Sequence, residues 1–308
     1  MRALWVLNSQ SRRGRQLGGA AGERLAAHGV ELVKDTRELS TLDAIVVAGG
    51  DGTVARVIRF ALESGLPLGL IPLGTFNDLA RTLQIPFDID EASALIASGR
   101  MRSIDGARVN NVYYLNEASV GISSRAARLQ TASEKQRFGL LAVLNSVLHA
   151  IGHIRPFRAE ILFDSQAARF RSVQLTVANS SHFGGLITVN GAAIDDGWLD
   201  LYSVEVDGIA SLLAVAGAIV SGRRRATDGL RAYRSAAFAV ATSRPRRITA
   251  DGEPAARRLR TSRSCLVRFE SLRRLQIKQP GNRCENFWTF AAYIGFRKAS
   301  TFSRGAPP

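Results

Sequence analysis

Residues 46–81 read VVAGGDGTVARVIRFALESGLPLGLIPLGTFNDLAR, and this stretch decides the fold. An apolar run, Ala44 to Ala48, enters Gly49-Gly50-Asp51-Gly52-Thr53. A helical pattern follows, with Val54, Val57, Ile58, Ala61 and Leu62 on one face. A second apolar run, Leu68 to Ile71, enters Pro72-Leu73-Gly74-Thr75-Phe76-Asn77-Asp78. Two strand ends therefore each carry a polar, glycine-bearing loop that opens a helix. In open α/β sheets, ligands sit at the carboxyl ends of strands. Glycines let backbone N–H groups approach an anion, and a helix N-terminus favours negative charge. The pattern points to a phosphate-bearing ligand held between the loops. Neither loop is a P-loop, since no Gly-Lys-Ser/Thr follows, and neither has the G-x-G-x-x-G spacing. For GGDGT alone, a plain βα turn capped by Asp is the alternative. The second loop, so close in sequence, argues against it.

Outward from this stretch, strand and helix signals alternate. Ala3–Leu7, Val30–Val33, Ala44–Ala48 and Leu68–Ile71 read as strands. Gln16–His28, Val54–Glu63, Asp78–Leu83 and Asp90–Ser98 read as helices, the last closed by Gly99. This layout predicts a parallel α/β sheet. Past residue 100 short β-like runs dominate: Ser103–Ala107, Asn110–Ala118, Arg158–Phe163, Ala168–Ala178, Trp198–Val204, Ala236–Ala241, Arg246–Ala250 and Cys265–Phe269. Only Gly139–Ile151 and Ile209–Val220 read as long helices there. Many strands with few helices predict an antiparallel sandwich or barrel.

The chain has 308 residues, 46% of them hydrophobic, enough for one large or two ordinary domains. No uncharged apolar stretch approaches the ~18 residues of a membrane span. The N-terminus reads as a first strand and not as a secretory signal. Two cysteines, Cys265 and Cys284, make neither a disulfide framework nor a metal site, so a cytoplasmic setting is expected. The net charge is +15, and residues 223–278 hold sixteen Arg/Lys against four Asp/Glu. Such a field attracts polyanions. Only 7% of residues are aromatic, which leaves few stacking platforms for bases. No nucleic-acid-binding motif appears, and an anionic membrane surface is the preferred partner.

The GGDGT loop together with the PLGTFNDLAR segment resembles the diacylglycerol kinase-like lipid kinases, relatives of the sphingosine kinases and, more distantly, of the NAD kinases. The resemblance runs from about Leu4 to about Gln276. It implies an N-terminal α/β nucleotide-binding domain with a parallel sheet over residues 1–112, rejoined by residues 270–290. It implies a C-terminal β-sandwich domain for the lipid over residues 113–269, and leaves residues 281–308 as a C-terminal extension. It also implies ATP and Mg2+ as cofactors.

Residue by residue, the resemblance assigns nucleotide contacts to Asn8 and Ser11 after the first strand, and to Thr36 after the second. It assigns the same role to Gly49, Gly50, Asp51, Gly52 and Thr53, and to Gly74, Thr75 and Asn77. Departures occur at Ser9, Arg12, Ala55, Arg56 and Phe76. The family favours Gly at position 76. If that position needed φ > 0, Phe76 would be strained there. Asp78 and Arg81 are equally readable as an i,i+3 ion pair. Asn116 to Gly121 resembles the segment leading into the lipid domain, with Glu117 read as structural. Asp195-Asp196-Gly197-Trp198-Leu199-Asp200 resembles the family's Mg2+ turn. Asp196 and the carbonyls of Ala193 and Trp198 would be the metal ligands there, and a metal-free Asp-Gly hairpin turn is the alternative. Asp251-Gly252-Glu253 matches the motif of the catalytic carboxylate, with Glu253 as the base and Asp251 in support.

The activity implied is transfer of the ATP γ-phosphate to a lipid hydroxyl, with diacylglycerol as the default acceptor and phospholipid metabolism as the setting. A kinase with a soluble acceptor such as NAD, and a non-catalytic lipid- or nucleotide-binding protein, are the rival readings. The implied location is peripheral, at the inner face of the membrane. Leu212–Val220 and Arg223–Arg225 read as a docking face, and the aromatic residues near the C-terminus suit a membrane interface. A homodimer is compatible with this reading, and no specific nucleic acid is expected.

Overall fold

A computed structural model of the chain describes residues 1–34, 40–122, 156–180, 182–183, 187–188, 193–205, 230–255 and 265–278. Strands β1 (Arg2–Leu7), β2 (Glu31–Val33), β3 (Ala44–Gly49) and β4 (Leu68–Pro72) run parallel in the order β2-β1-β3-β4. Every residue of β3 and β4 is buried, which is why both read as unbroken apolar runs. Four helices supply the cover: α1 (Arg12–Ala27), α2 (Asp51–Ser64), α3 (Asp78–Thr82) and α4 (Ile89–Ala97). Alternation along β3 sends Ala44, Val46 and Ala48 to Ala21, Leu25, Ala92 and Ile96 of α1 and α4. Ile45 and Val47 go to the opposite core, with Val54, Ile58 and Ala61 of α2 and Leu79 of α3.

Local chemistry sets the helix ends. The Ser11 hydroxyl accepts from Gly14 N at 2.9 Å and starts α1 at Arg12. The apolar pattern alone had placed that start at Gln16, because Arg12, Arg13, Gly14 and Arg15 carry no apolar period. Gly65, at φ 72°, closes α2, and Gly99, also at φ 72°, follows α4. Asp88 caps α4 by accepting from Asp90 N and Glu91 N at 2.9 and 3.0 Å.

The rest of the described chain is strand-rich. It runs through β5 (Met101–Val109), β6 (Val112–Tyr114), β7 (Glu117–Gly121), β8 (Phe157–Phe163), β9 (Gln166–Ser172), β10 (Gln174–Ala178), β11 (His182–Phe183) and β12 (Ile187–Thr188). It continues through β13 (Leu199–Val204), β14 (Leu230–Ser235), β15 (Ala237–Thr242), β16 (Thr249–Ala250), β17 (Glu253–Pro254) and β18 (Cys265–Lys278). An antiparallel sheet β14-β13-β10-β7-β16-β17 packs against β8, β9, β15 and β18. Leu175, Val177, Leu199 and Leu201 meet Phe157, Ile161, Phe238 and Phe269 in the shared core. The molecule thus joins an α/β domain with a mostly parallel sheet to a β-sandwich.

Strand β18 links the two parts. It pairs antiparallel with β15 and β5, and its Ile277 pairs parallel with Leu68 of β4. One sheet therefore passes from the α/β domain into the sandwich.

Two expected strands are each two strands. The run 110–118 breaks at Leu115-Asn116 into β6 and β7, and the run 168–178 breaks at Val173 into β9 and β10. In each case the halves enter different sheets. A continuous β-prone run does not show where the chain leaves one sheet for the other. Of 246–250, only Thr249–Ala250 is strand. The expected helices 139–151 and 209–220, the docking face, Thr36 and the extension 281–308 lie outside the described residues.

Candidate active site

The loops after β1, β3 and β4 converge at the carboxyl edge of the parallel strands. Asn8 follows β1; its N–H donates to Ala48 O at 3.0 Å, and its Nδ2 donates to Thr53 Oγ1 at 3.3 Å. The Ser11 hydroxyl donates to Asn8 O at 3.1 Å while accepting from Gly14 N. Asn8 and Ser11 therefore shape the first loop and tie it to the GGDGT loop. Thr53 is buried and Thr75 is exposed.

The second and third loops touch through their glycines. A Cβ on Gly74 would lie 2.3 Å from Gly50 Cα, and one on Gly50 would lie 2.7 Å from Gly74 Cα. Only two glycines permit that approach. Asn77 holds the third loop closed, accepting from Gly74 N at 2.9 Å and donating to Gly74 O at 3.0 Å. The left-handed residue is Asn77 itself, at φ 53°, and not its neighbour. The strain foreseen at Phe76 is therefore absent, because the position demanding φ > 0 carries an Asn, which tolerates it. Arg81 donates to Phe76 O at 3.0 Å and lies over the Phe87 ring, 5.0 Å from its centroid. The N-terminus of α2, at Gly50, has no side-chain cap. In its first turn Thr53 N donates back to Gly50 O at 2.8 Å, while the N–H groups of Asp51 and Gly52 precede the helix ladder, a position that suits an anion.

The sandwich delivers the carboxylates. The Asp251-Gly252 turn has φ 47° and 78° and connects β16 to β17. Asp251 accepts from Leu115 N, Asn116 N and Glu117 N at 2.8, 2.9 and 3.1 Å. Both its oxygens are thus spent on the crossover between β6 and β7, and the residue positions the turn. Burial and the nearby Asp51 push its carboxyl up to about 6, against the three N–H donors that pull it down. Glu253 is exposed beside α2: a Cβ on Gly52 would lie 3.3 Å from Glu253 Oε1. The expected base therefore stands at the uncapped helix end. Asp51 Oδ1 accepts from Leu79 N at 3.1 Å and Asn116 Nδ2 at 3.4 Å, so it bridges the two domains.

Around this cleft lie Glu117, read from the sequence as structural, and residues that no motif singled out, Tyr114, Asn179 and Asp105. Burial, with Asp251 and Asp78 nearby, pushes the Glu117 carboxyl up to about 8. Tyr114 is fully buried beside it, its hydroxyl without a partner among the described residues. Asn179 Nδ2 donates to Asp105 O and Leu115 O, both at 2.9 Å, pinning β10 to β5. Each of these positions is an ordinary polar or aromatic residue in sequence, and only strand pairing gathers them.

The DDGWLD turn is elsewhere in the sandwich. Arg102 pairs with Asp195, and Arg234 pairs with Asp196. Trp198 N donates to the other Asp196 oxygen at 3.0 Å. Gly197 N donates to Asp105 Oδ2 at 2.6 Å. Asp196 therefore already has a cation, a guanidinium, and does not fit the expected metal ligand in this arrangement. Ala193 and Trp198 flank that turn, and Trp198 is exposed. Among the described residues no group of three or more His, Cys, Asp or Glu is placed to hold a metal ion.

Comparison with known proteins agrees with this geometry. Residues 20–109 match the diacylglycerol kinase catalytic domain, and residues 116–265 match the YegS C-terminal NAD kinase beta sandwich-like domain. The diacylglycerol kinase of Bacillus subtilis (strain 168) is 28% identical over 219 residues, 70% of this chain and 72% of that protein. A Staphylococcus haemolyticus protein, provisionally named a lipid kinase, is 30% identical over 157 residues, which is 50% of this chain. The match spans about half, 51%, of that relative's length. A Bacillus anthracis structure, provisionally named a diacylglycerol kinase, shares the fold with a TM-score of 0.71 at 24% identity. That match covers 91% of this chain and 96% of the other. From the α/β domain to the sandwich, the chain carries in order the two domains of diacylglycerol kinase-like proteins, over residues 20–109 and 116–265.

Proposed function

We propose that this protein transfers the γ-phosphoryl group of ATP to the hydroxyl of a membrane lipid, with diacylglycerol as the first acceptor to test. The observation that carries the reading is the exposed Glu253 carboxylate beside Gly52, at the uncapped N-terminus of α2. Phosphoryl transfer asks a protein for positioning, charge stabilisation and a group to accept the hydroxyl proton. Gly49, Gly50, Gly52, Thr53, Gly74 and Asn77 line the cradle, in which Gly74 N and Thr53 N hold the loops in shape and the start of α2 faces the anion. Asn8 and Ser11 fix that cradle's first wall. Glu253 accepts the proton, and Asp251 holds the turn that presents it. ATP would supply the phosphoryl group, and a Mg2+ carried with it would need only one or two carboxylates, of which Asp51, in the first turn of α2, would be one. The protein acts at the bilayer surface; among the described residues, no helix is long and apolar enough to cross a membrane.

The test is a labelled-ATP acceptor screen with diacylglycerol vesicles, sphingosine vesicles and NAD. The expected product is phosphatidic acid. Glu253→Gln should lower turnover by about 10²–10⁴-fold and leave ATP affinity unchanged. Unchanged turnover removes Glu253 from the reaction, and labelling of NAD alone replaces the lipid with a soluble acceptor.

A further inference from the structure

The outer face of the large sheet carries charge that the phosphate site does not use. On β8 and β9, Phe157, Ile161 and Phe170 point into the sandwich, while Arg158, Arg169 and Arg171 are exposed on the other side. Arg169 is paired with Glu160 at 2.9 Å. Arg158 and Arg171 stand directly opposite each other in the ladder. Among the described residues, neither side chain has a hydrogen-bond or ion-pair partner. Like charges facing each other across antiparallel strands are destabilising. The fold tolerates that cost at a place where nothing internal offsets it.

The next loop adds to the same corner. Ser243-Arg244-Pro245-Arg246-Arg247 follows β15 and is exposed throughout. It is fastened to β8: Ser243 N donates to Arg158 O at 3.3 Å, and the Arg246 guanidinium lies 4.5 Å from the centroid of the Phe157 ring. Five arginines therefore share one edge of the sheet. The loop then runs into β16 and the Asp251-Gly252-Glu253 turn. The six positions from Arg247 to Glu253 span at most about 20 Å of extended chain, so this corner is near the cleft. Leu162, 46% exposed, adds an apolar contact on the same face.

We propose that Arg158, Arg171, Arg244, Arg246 and Arg247 form a docking corner for the anionic headgroups of a bilayer, which holds the mouth of the cleft against the membrane. The proposal rests on the lipid-kinase reading for its purpose, but on the arginine geometry for its location. A phosphate-rich surface offers each guanidinium a bidentate partner and relieves the repulsion between Arg158 and Arg171. The aromatic ring at this corner, Phe157, is buried under Arg246 and offers a base no stacking platform, which favours lipid over single-stranded nucleic acid.

The experiment is co-sedimentation of the full-length protein, without ATP, with vesicles of phosphatidylcholine alone or mixed with phosphatidylglycerol. The wild type should bind the mixed vesicles and not the neutral ones. Each arginine near an anionic surface contributes about fivefold in partitioning, so Arg158→Gln/Arg171→Gln and Arg244→Gln/Arg247→Gln should each lose about 25-fold. Arg158→Lys/Arg171→Lys should bind like the wild type, which separates charge from folding. All variants should turn over a short-chain diacylglycerol dispersed without vesicles as the wild type does. Equal binding by wild type and both Gln pairs overturns the proposal. So does a wild type that ignores both vesicles but retains a nucleic-acid duplex. A protein that docks through these arginines yet phosphorylates no lipid sinks the kinase reading and leaves the docking corner standing.

Discussion

Gly74→Ala probes the contact on which the proposed nucleotide site depends. The added Cβ would sit 2.3 Å from Gly50 Cα and 2.6 Å from Asn77 Oδ1. Both neighbours are fixed, one as main chain and the other by its bond to Gly74 N. Reaching an ordinary contact distance requires the loops to part by about 1 Å, and a displacement of that size costs roughly 10²-fold in a positioned reaction. Overpacking at a rigid site costs about 1–3 kcal/mol. In a chain of this size that lowers Tm by roughly 2–10 °C. Calorimetry with ADP and ATP should show affinity reduced at least about tenfold, as N–H donors leave their common focus. Gly19→Ala is the control: it lies in α1, and its Cβ would meet nothing within 4 Å. That substitution should stabilise the protein by about 0.5–1 kcal/mol and leave nucleotide binding untouched. A Gly74→Ala protein that melts with the wild type and binds ADP equally would refute the reasoning, because the loops would then not need to touch.

Two further outcomes follow from the cleft and the acidic turn. The folded-state pKa of Glu117, about 8, is above its ordinary value of 4.5, so the native state binds the proton more tightly. Its contribution to stability is complete below about pH 4.5 and is lost as pH rises through about 8. Glu117→Gln should flatten the decline of Tm between pH 5 and 8.5, and an unchanged slope would show that Glu117 does not hold a proton in the fold. Arg234→Gln removes the guanidinium from Asp196. Wild-type Tm should ignore EDTA and added Mg2+, whereas the variant should melt lower and regain stability with Mg2+. A wild type that melts lower in EDTA would restore a metal to that turn.

The sequence was most informative where physics is local. Gly/Asn/Asp loops at the ends of apolar runs located β3, β4 and the helices they open, because strand ends and helix starts are marked by turn and cap residues within a few positions. The same residues carried the resemblance that located Glu253. Sequence could not show that Gly50 and Gly74 touch, since a missing side chain leaves no trace of what fills its space. Nor could it show that Asn77 and not Phe76 adopts φ > 0, because which residue of a turn does so depends on how the whole loop closes.

What the sequence by itself determined is the order of the elements of the α/β domain and the glycine-bearing loops at its strand ends, and it singled out the Asp251-Gly252-Glu253 turn, all encoded within a few neighbouring residues. The tertiary structure alone decided the rest. Pairing β16 against β7 brings Asp251 under the Leu115–Glu117 crossover, across 134–136 positions of sequence. Pairing β13 with β14 sets Arg234 across from Asp200, within reach of Asp196. Strand register brings together charges that are far apart in the chain, and no periodicity or motif within a segment specifies a register between segments.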